Sequence, residues 1–312
     1  MDRLSFYASR NIPFFFLIDY KKRDIFVQPI EKLHDVFFAV PGFANYTPRK
    51  AAAKILAKDP IPFERYQKAF REVQHQIRLG NTYLLNLTFP TPIQCEGSLR
   101  DIFFAAKAPF KLYYKDQFVC FSPERFVRIE GDRIHTFPMK GTIDASLPKA
   151  KERILSDSKE MAEHTMVVDL LRNDLNMVAS RVRVRRFRYI DHIRSAHKEL
   201  LQVSSHIEGI LPSDWPKRLG EIFDLLLPAG SVTGTPKRST CEIIERVEGY
   251  ERGYYTGVFG YFDGNNLESS VMIRFVEKTQ EGLLYKSGGG ITADSEASKE
   301  YQELIDKIYL PL

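Results

Sequence analysis

The sequence predicts an α+β layered fold built on antiparallel strands, and three features carry that expectation. Short runs of strand-like composition are joined by tight-turn signals, Gly131-Asp132 in one place and Asp263-Gly264-Asn265 in another. Helix-period segments gather in blocks between groups of strands, whereas a parallel sheet would need strict βαβ alternation. The composition is that of an ordinary globular chain: 44% hydrophobic, 27% charged, 18 Gly and 17 Pro in 312 residues, which excludes collagenous, low-complexity and disordered classes.

In chain order, the apolar run at 12–18 reads as a buried strand. It is short, contains Pro13 and lacks a small-residue cleavage site, so it resembles neither a signal peptide nor a membrane span. The stretch 41–62, with its Pro-Gly and Thr-Pro steps, reads as a boundary or a long connection. From Phe63 onward Tyr66, Phe70, Val73 and Ile77 keep a helical period, and Gly80 stands where a left-handed C-terminal cap belongs. Strands are expected at 82–89, 111–114, 118–121, 125–129 and 133–139. A helix over 158–175, strands over 181–189 and 199–207, and helices over 215–227 and 238–247 follow. Strands at 255–262, 267–276 and 283–287 and a helix from about residue 295 complete the pattern.

The net charge of +5 is mild for this length and suits a small acidic metabolite as well as any polyanion. Arg181, Arg183, Arg185, Arg186 and Arg188 form the densest basic run, which fits an aggregation-resistant edge strand or a face for a phosphate-rich partner; no aromatic RNA-binding motif accompanies it. Cys95, Cys120 and Cys241 are odd in number and far apart, which indicates neither a disulfide framework nor a zinc site and fits a reducing, cytoplasmic setting. The histidines, at 34, 75, 135, 164, 192, 197 and 206, show no zinc-ligand spacing.

Several residues could carry chemistry. Glu160 and Glu163 stand i, i+3 on one helix, with Val167 and Leu170 continuing their stripe, and Glu300, Glu303 and Lys307 share a face of the last helix. Two carboxylate pairs on separate helices suit Mg²⁺, or simply two solvated faces. Lys140 closes a short strand beside Gly141, a place for a nucleophilic amine or for a surface lysine at a turn; attack on carbon requires the neutral amine. The Gly131-Asp132 hairpin can bring Glu124 alongside, where a dry pocket would make it a general acid and an arginine would make it a surface ion pair. Arg274 is expected on a strand face with Met272 and Val276, either clamping a carboxylate or reaching to water. Gly288, Gly289 and Gly290 offer backbone N–H groups to an anion or form a tight turn. The loop 228–237 lacks the Gly-Lys-Ser/Thr of a phosphate loop, since Thr235 and Pro236 precede Lys237, but it ends at a helix N-terminus where an anion can dock.

The order of motifs is more specific than any one of them. Gly-Asn-Thr-Tyr-Leu-Leu-Asn-Leu-Thr at 80–88, Ser-Pro-Glu-Arg-Phe at 122–126, Pro-Met-Lys-Gly-Thr at 138–142 and Ala-Glu-His-Thr-Met-Val-Val-Asp-Leu-Leu-Arg-Asn-Asp-Leu at 162–175 come first. Gln-Val-Ser-Ser at 202–205, the loop 228–237, Gly-Val-Phe-Gly-Tyr-Phe at 257–262, Ile273-Arg274, Gly-Gly-Gly-Ile-Thr-Ala-Asp-Ser at 288–295 and Lys-Glu-Tyr-Gln-Glu at 299–303 follow. From about residue 62 to the end, the chain resembles the chorismate-utilising family, which holds anthranilate synthase, aminodeoxychorismate synthase component I, isochorismate synthase and salicylate synthase. The resemblance implies two packed antiparallel sheets flanked by helices, an α/β/β/α sandwich, and one catalytic domain over 1–312 in which 1–60 is a short strand-rich portion and 62–312 the family core.

Carried over residue by residue, the resemblance makes Glu163 and Glu303 Mg²⁺ ligands supported by Glu160 and Glu300, with the metal on the ring carboxylate of chorismate. It assigns the enolpyruvyl carboxylate to Arg274, Lys307 and the backbone of Gly288, Gly289 and Gly290, and it lines the site with Thr142 and Tyr255. Glu124 becomes the general acid at the C4 hydroxyl. Lys140 resembles the nucleophile of aminodeoxychorismate synthase component I, where anthranilate synthases usually carry alanine. Leu84 stands where relatives that use water as nucleophile have lysine and where amine-transferring relatives usually have glutamine, and Gln202 stands where many relatives have histidine. The implied reaction is amination of chorismate to 4-amino-4-deoxychorismate, leading to 4-aminobenzoate and folate. Ammonia is expected from solution or from a separate glutamine amidotransferase subunit, and a separate aminodeoxychorismate lyase acts downstream. Neither nucleic acid nor a membrane is expected as a partner. The shortness of the segment before residue 62 implies that the effector pocket of longer relatives is reduced and that feedback by an amino acid is absent.

Overall fold

The structure, a computed structural model, describes residues 1–194 and 199–312, so His197 lies outside the described residues. Its strands are β1 (Phe14–Ile18), β2 (Ile25–Pro29), β3 (Val36–Val40), β4 (Phe43–Ala44), β5 (Lys54–Lys58), β6 (Leu84–Glu96), β7 (Phe110–Tyr114), β8 (Phe118–Ser122) and β9 (Arg125–Glu130). Then come β10 (Arg133–Thr136), β11 (Met139–Asp144), β12 (Ser180–Arg194), β13 (Glu199–Ile210), β14 (Gly234–Thr235), β15 (Val258–Phe262), β16 (Leu267–Val271), β17 (Phe275–Thr279) and β18 (Gly282–Ile291). The helices are α1 (Asp2–Ala8), α2 (Phe63–Arg78), α3 (Leu99–Ala105), α4 (Ala150–Ser156), α5 (Ser158–Asn176), α6 (Leu219–Leu226), α7 (Gly230–Thr233), α8 (Lys237–Glu248) and α9 (Ala297–Asp306).

The strands form two antiparallel sheets. The first runs β11-β13-β10-β9-β16-β15-β1-β2, with β12 also paired to β13, and the second runs β14-β6-β18-β17-β8-β7-β3-β4, with β5 also paired to β6. Strand β1 shows why they stack. All five of its residues are buried because it is covered on both faces: Phe14, Phe16 and Ile18 join α1, α5 and α6 in one core, and Phe15 and Leu17 meet Phe38, Leu112 and Phe118 of the second sheet in another. On the far side of the second sheet, α3 packs over Tyr113, Val119 and Phe121, and α2, α8 and α9 pack over Leu85, Leu87 and Phe89. The layers are therefore α/β/β/α, as the resemblance implied. Among the described residues no helix is long and apolar enough to cross a membrane.

The local departures have local causes. The expected 82–89 strand continues to Glu96 because β18 and β5 go on offering partners. The expected helix over 215–227 begins as a 3-10 turn, Trp215–Arg218, before α6. The single strand expected over 267–276 is two strands, β16 in the first sheet and β17 in the second, because the chain changes sheets between them. The arginine run lies on edge strand β12, where register shifts break the alternation; Arg183 and Arg185 turn to Glu208, and Arg188 caps the carbonyls of Ile154 and Leu155.

Phe15 is fully buried, its ring 4.8 Å from that of Phe38 across the gap between the sheets. Phe15→Ala should cost about 3–5 kcal/mol in chemical denaturation, since a rigid gap cannot collapse on the void. Lys111 is also buried; its amine donates to Ala106 O at 2.6 Å and lies over Phe103, and burial pushes its pKa down to about 8. The unfolded chain holds that proton up to about pH 10.4, so this residue should make stability rise as pH rises from about 8 to about 10.4. Denaturation midpoints across that range should show the rise in the wild type and lose it in Lys111→Met.

Candidate active site

Two crossings between the sheets build the site. One passes from β8 to β9 through Pro123 and Glu124; the other passes from β16 to β17 through Met272, Ile273 and Arg274. They are hydrogen-bonded to each other: Glu124 O accepts from Ser270 Oγ at 2.7 Å and from Val271 N at 3.3 Å, and Phe121 N donates to Arg274 O at 3.1 Å. The expected continuous strand face of Met272, Arg274 and Val276 is therefore corrected. Met272 enters the core between the sheets, Val276 enters the core on the far side of the second sheet, and Arg274 sits at the seam with φ +54°.

Lys140 owes its place to a bulge. Met139 pairs with Ser204 and Thr142 with Gln202, so β11 spends one residue more than β13 over the same span. Gly141 takes φ +80° at this point, which favours glycine, and a Cβ there would lie 2.9 Å from Glu160 Oε2 and displace that carboxylate. Lys140 thus opens a strand, where the sequence suggested that it closes one. Its amine faces Gly290: a Cβ at that glycine would stand 3.4 Å from Lys140 Nζ and 3.1 Å from Leu84 Cδ1. Leu84 is buried beside the amine and offers it no proton acceptor.

A cavity of about 260 Å³ lies between these segments. Glu124, Lys140, Thr142, Gln202, Tyr255, Arg274, Gly288, Gly290, Glu303 and Lys307 all line it, so the structure brings together most of the residues singled out by sequence. Gly289 does not. Strand alternation points it outward, where a Cβ would lie 3.3 Å from Glu303 Oε1 and 3.5 Å from Glu300 Oε2. Glu160, Glu163 and Glu300 stand outside the lining; Glu300 accepts a bond from Ser295 Oγ at 2.7 Å. Two glycines on two sheets, Gly141 and Gly289, therefore leave carboxylate oxygens of α5 and α9 space that a side chain would fill. Carboxylate oxygens are the donors a hard divalent cation takes, and the space beside each glycine leaves those of Glu160 on α5 and of Glu300 and Glu303 on α9 uncovered by a side chain.

The electrostatics follow from burial and a concentration of cations. Burial pushes the Glu124 carboxyl up, opposed by a hydrogen bond to the Ser231 side chain and by Lys140, Arg274 and Lys307. Lys307 contacts Glu303 at 2.5 Å and Gly288 O at 2.9 Å; burial pushes its amine down against the pull of Glu303. Burial raises Glu303, but Lys307, Lys140 and Arg274 outweigh it and hold the carboxylate below its ordinary value. Both partners shift downward for different leading reasons: burial drives Lys307 down, Lys307 itself draws Glu303 down, and Lys140 and Arg274 add to each.

Sequence reasoning overlooked four residues here. Asn86, Ser231 and Lys286 line the cavity, and His164 is fully buried with Nε2 2.7 Å from Ser205 Oγ. Burial, helped by Arg188 and Lys140, pushes His164 down to about 4, so it is a neutral ring. Ser231 lay within the 228–237 loop already marked, but a single lysine in a strand, such as Lys286, carries no sequence signal. In that loop Lys237 is engaged by Asp174 at 3.0 Å and Leu226 O at 2.9 Å. Elsewhere, His135, His206 and Glu208 lie within 4.8 Å of one another, but Arg133 and Arg183 hold Glu208 and oppose a cation there. A larger open groove of about 830 Å³ between α2 and α8 lies on the outer side of the second sheet and includes none of the residues gathered in the cavity.

Comparison with known proteins agrees with this architecture. A family model described as chorismate binding enzyme matches residues 28–312, starting earlier than the motifs suggested. The chain is 47% identical, over 100% of its length and 96% of the relative's, to an "Uncharacterized PabA-like protein" of Haemophilus influenzae. It is 32% identical to aminodeoxychorismate synthase component 1 of Klebsiella aerogenes over 78% of this chain and 56% of that one, so it spans little more than half of that relative. The crystal structure of anthranilate synthase component I from Streptococcus pneumoniae overlays with a TM-score of 0.69 at 25% identity, covering 82% of this chain and 59% of that chain. Two antiparallel sheets flanked by helices, a cavity at their crossings and a family match over most of the sequence lead to one conclusion: this chain belongs to the chorismate-binding enzyme family.

Proposed function

We propose that this protein aminates chorismate to 4-amino-4-deoxychorismate, as the synthase component of an aminodeoxychorismate synthase. The observation that carries the reading is the bulge that aims Lys140 into a cavity shared with Glu124, Arg274 and Lys307. Similarity to aminodeoxychorismate synthase component 1 supports the same reaction. Arg274 and Lys307 are suited to the enolpyruvyl carboxylate, with Gly288 and Gly290 letting the substrate approach the backbone. Thr142, Tyr255 and Gln202 line the remaining wall. Glu124, whose carboxyl burial pushes up, gives its proton to the departing C4 hydroxyl as the neutral Lys140 amine forms a bond at C2 and both conjugated ring double bonds shift toward C4. Ammonia then bonds at C4, both double bonds return to their first positions, and the Lys140 nitrogen leaves C2 as a neutral amine again, so ammonia has been taken up and water lost. The covalent stage divides one difficult substitution into two easier ones. Glu160, Glu163, Glu300 and Glu303 would hold Mg²⁺, which when bound supplies positive charge for the ring carboxylate. The ammonia source in this reading is a separate glutamine amidotransferase subunit, and a separate lyase converts the product to 4-aminobenzoate for folate synthesis. The unpaired thiols Cys95, Cys120 and Cys241 suit the reducing cytoplasm.

Incubation with chorismate, Mg²⁺ and ammonium, with products identified by mass and by conversion with an added lyase, should yield 4-amino-4-deoxychorismate. Anthranilate with pyruvate would overturn the reading, and isochorismate would show that Leu84 does not bar water. A lysine adduct seen by intact mass should vanish in Lys140→Ala; its persistence would refute Lys140 as nucleophile. At constant free ammonia the rate should fall as pH rises through the raised pKa of Glu124, because the acid form is then lost. Glu124→Gln should remove that limb and lower kcat by about 10²–10⁴-fold.

A further inference from the structure

Behind the cavity lies a fully buried ion pair that none of the proposed chemistry uses. Arg252 and Glu248, at the end of α8 and the start of the following loop, are 2% and 1% exposed at their side chains and meet at 2.6 Å. Every N–H of the guanidinium is engaged. Nε donates to Glu248 Oε2 at 2.9 Å, and Nη2 to Glu248 Oε1 at 2.6 Å and Asn86 O at 2.7 Å. Nη1 donates to Val232 O at 2.9 Å and Thr256 Oγ1 at 3.3 Å. The backbone carbonyl of Arg252 accepts from Lys286 Nζ at 3.0 Å, and Glu248 Oε1 accepts from Thr88 N and Oγ1, both at 2.8 Å.

The partners are not random. Asn86, Val232 and Lys286 all line the cavity, yet they come from β6, α7 and β18. Helix α7 is a single short turn without a side-chain cap of its own, and it carries Ser231, the residue hydrogen-bonded to Glu124. A turn this short has little intrinsic stability, so its position must come from tertiary contacts. Neutral packing could hold the ion pair's volume at lower desolvation cost, so a buried pair is weak evidence of stability by itself. Here the guanidinium bonds to two separate walls of one cavity, β6 and α7, while Lys286 of a third, β18, donates to the backbone carbonyl of the same residue.

We infer that Arg252, oriented by Glu248, is a positioning residue whose guanidinium sets the spacing of α7 against β6 and thereby holds Ser231 and Glu124 in register with the substrate. The inference rests on the proposed reaction at this cavity. Lysine retains the charge but cannot reach Glu248, Asn86 O and Val232 O together, because it has one donor nitrogen in place of a planar fork. Arg274 and Lys307, which take the substrate carboxylate, are not bonded to Arg252, so binding and turnover should separate.

The test compares wild type, Arg252→Lys and Thr88→Val for chorismate Kd by equilibrium dialysis, kcat for amination and melting temperature. Arg252→Lys should keep Kd within about threefold while kcat per folded molecule falls more than tenfold. Thr88→Val leaves the ion pair in place and removes one anchor of Glu248; kcat should fall two- to fivefold with Kd unchanged, which carries the test should Arg252→Lys fail to fold. A merely structural role would lower the melting temperature and leave kcat per folded molecule intact. That result in either variant overturns the inference, as does a proportional loss of Kd and kcat. Wild type that fails to bind chorismate, or binds it and forms another product, would instead refute the proposed reaction.

Discussion

The two sheet-to-sheet crossings, laced together by hydrogen bonds through Glu124 O and Arg274 O, are the constraint on which the rest of the site depends. Each crossing takes a residue out of a ladder, and leaving the ladder frees a side chain to turn into the space between the sheets. Because the crossings pair with each other, the acid on one and the guanidinium on the other keep a set relation. Everything else is arranged around that relation: β11 brings Lys140 from the first sheet, β18 brings its glycines from the second, and α9 brings Glu303 and Lys307 over the end.

The cavity is markedly cationic for its size. Lys140, Arg274 and Lys307 influence one another and Glu303, and the partial burial of the three cations weakens screening by solvent. Such a cluster costs stability in the free protein and is repaid when a dianion enters, which is how a small pocket can prefer chorismate over neutral rings. The same field explains why Glu303, half-exposed at the mouth of the cavity, is held below its ordinary value, while at Glu124 burial outweighs the neighbouring cations and pushes the carboxyl up. Two carboxyls with opposite shifts in one site support the tasks proposed for them, charge for Glu303 and a transferable proton for Glu124.

Parts of this arrangement are legible in the residues. The period of Phe63 to Ile77 gives α2, the unbroken Phe14–Ile18 run gives a strand buried on both faces, and the Gly131-Asp132 turn gives the hairpin that sets Glu124 near Lys140. The spacing of Glu300, Glu303 and Lys307 places them on one helical face, as α9 has them. Other parts leave no local mark. A strand that changes sheets at Met272 has the same alternating composition as one that does not, and the extra residue at Lys140 is visible only once β13 is beside it. Gly289 reads like its neighbours, yet alternation turns it to the opposite side.

Sequence by itself determined the antiparallel α+β class, since periodicity and turn chemistry are local, and the order of motifs determined the family and, through it, the layer order. Tertiary structure alone decided which residues meet. Ser231, Lys286, Arg252 and the buried His164 acquire their surroundings from chain segments far away in sequence, and burial, which pushes the Glu124 carboxyl up, is a property of all the layers at once. Local patterns encode which face of an element is apolar. They do not encode which polar groups two such faces will trap between them.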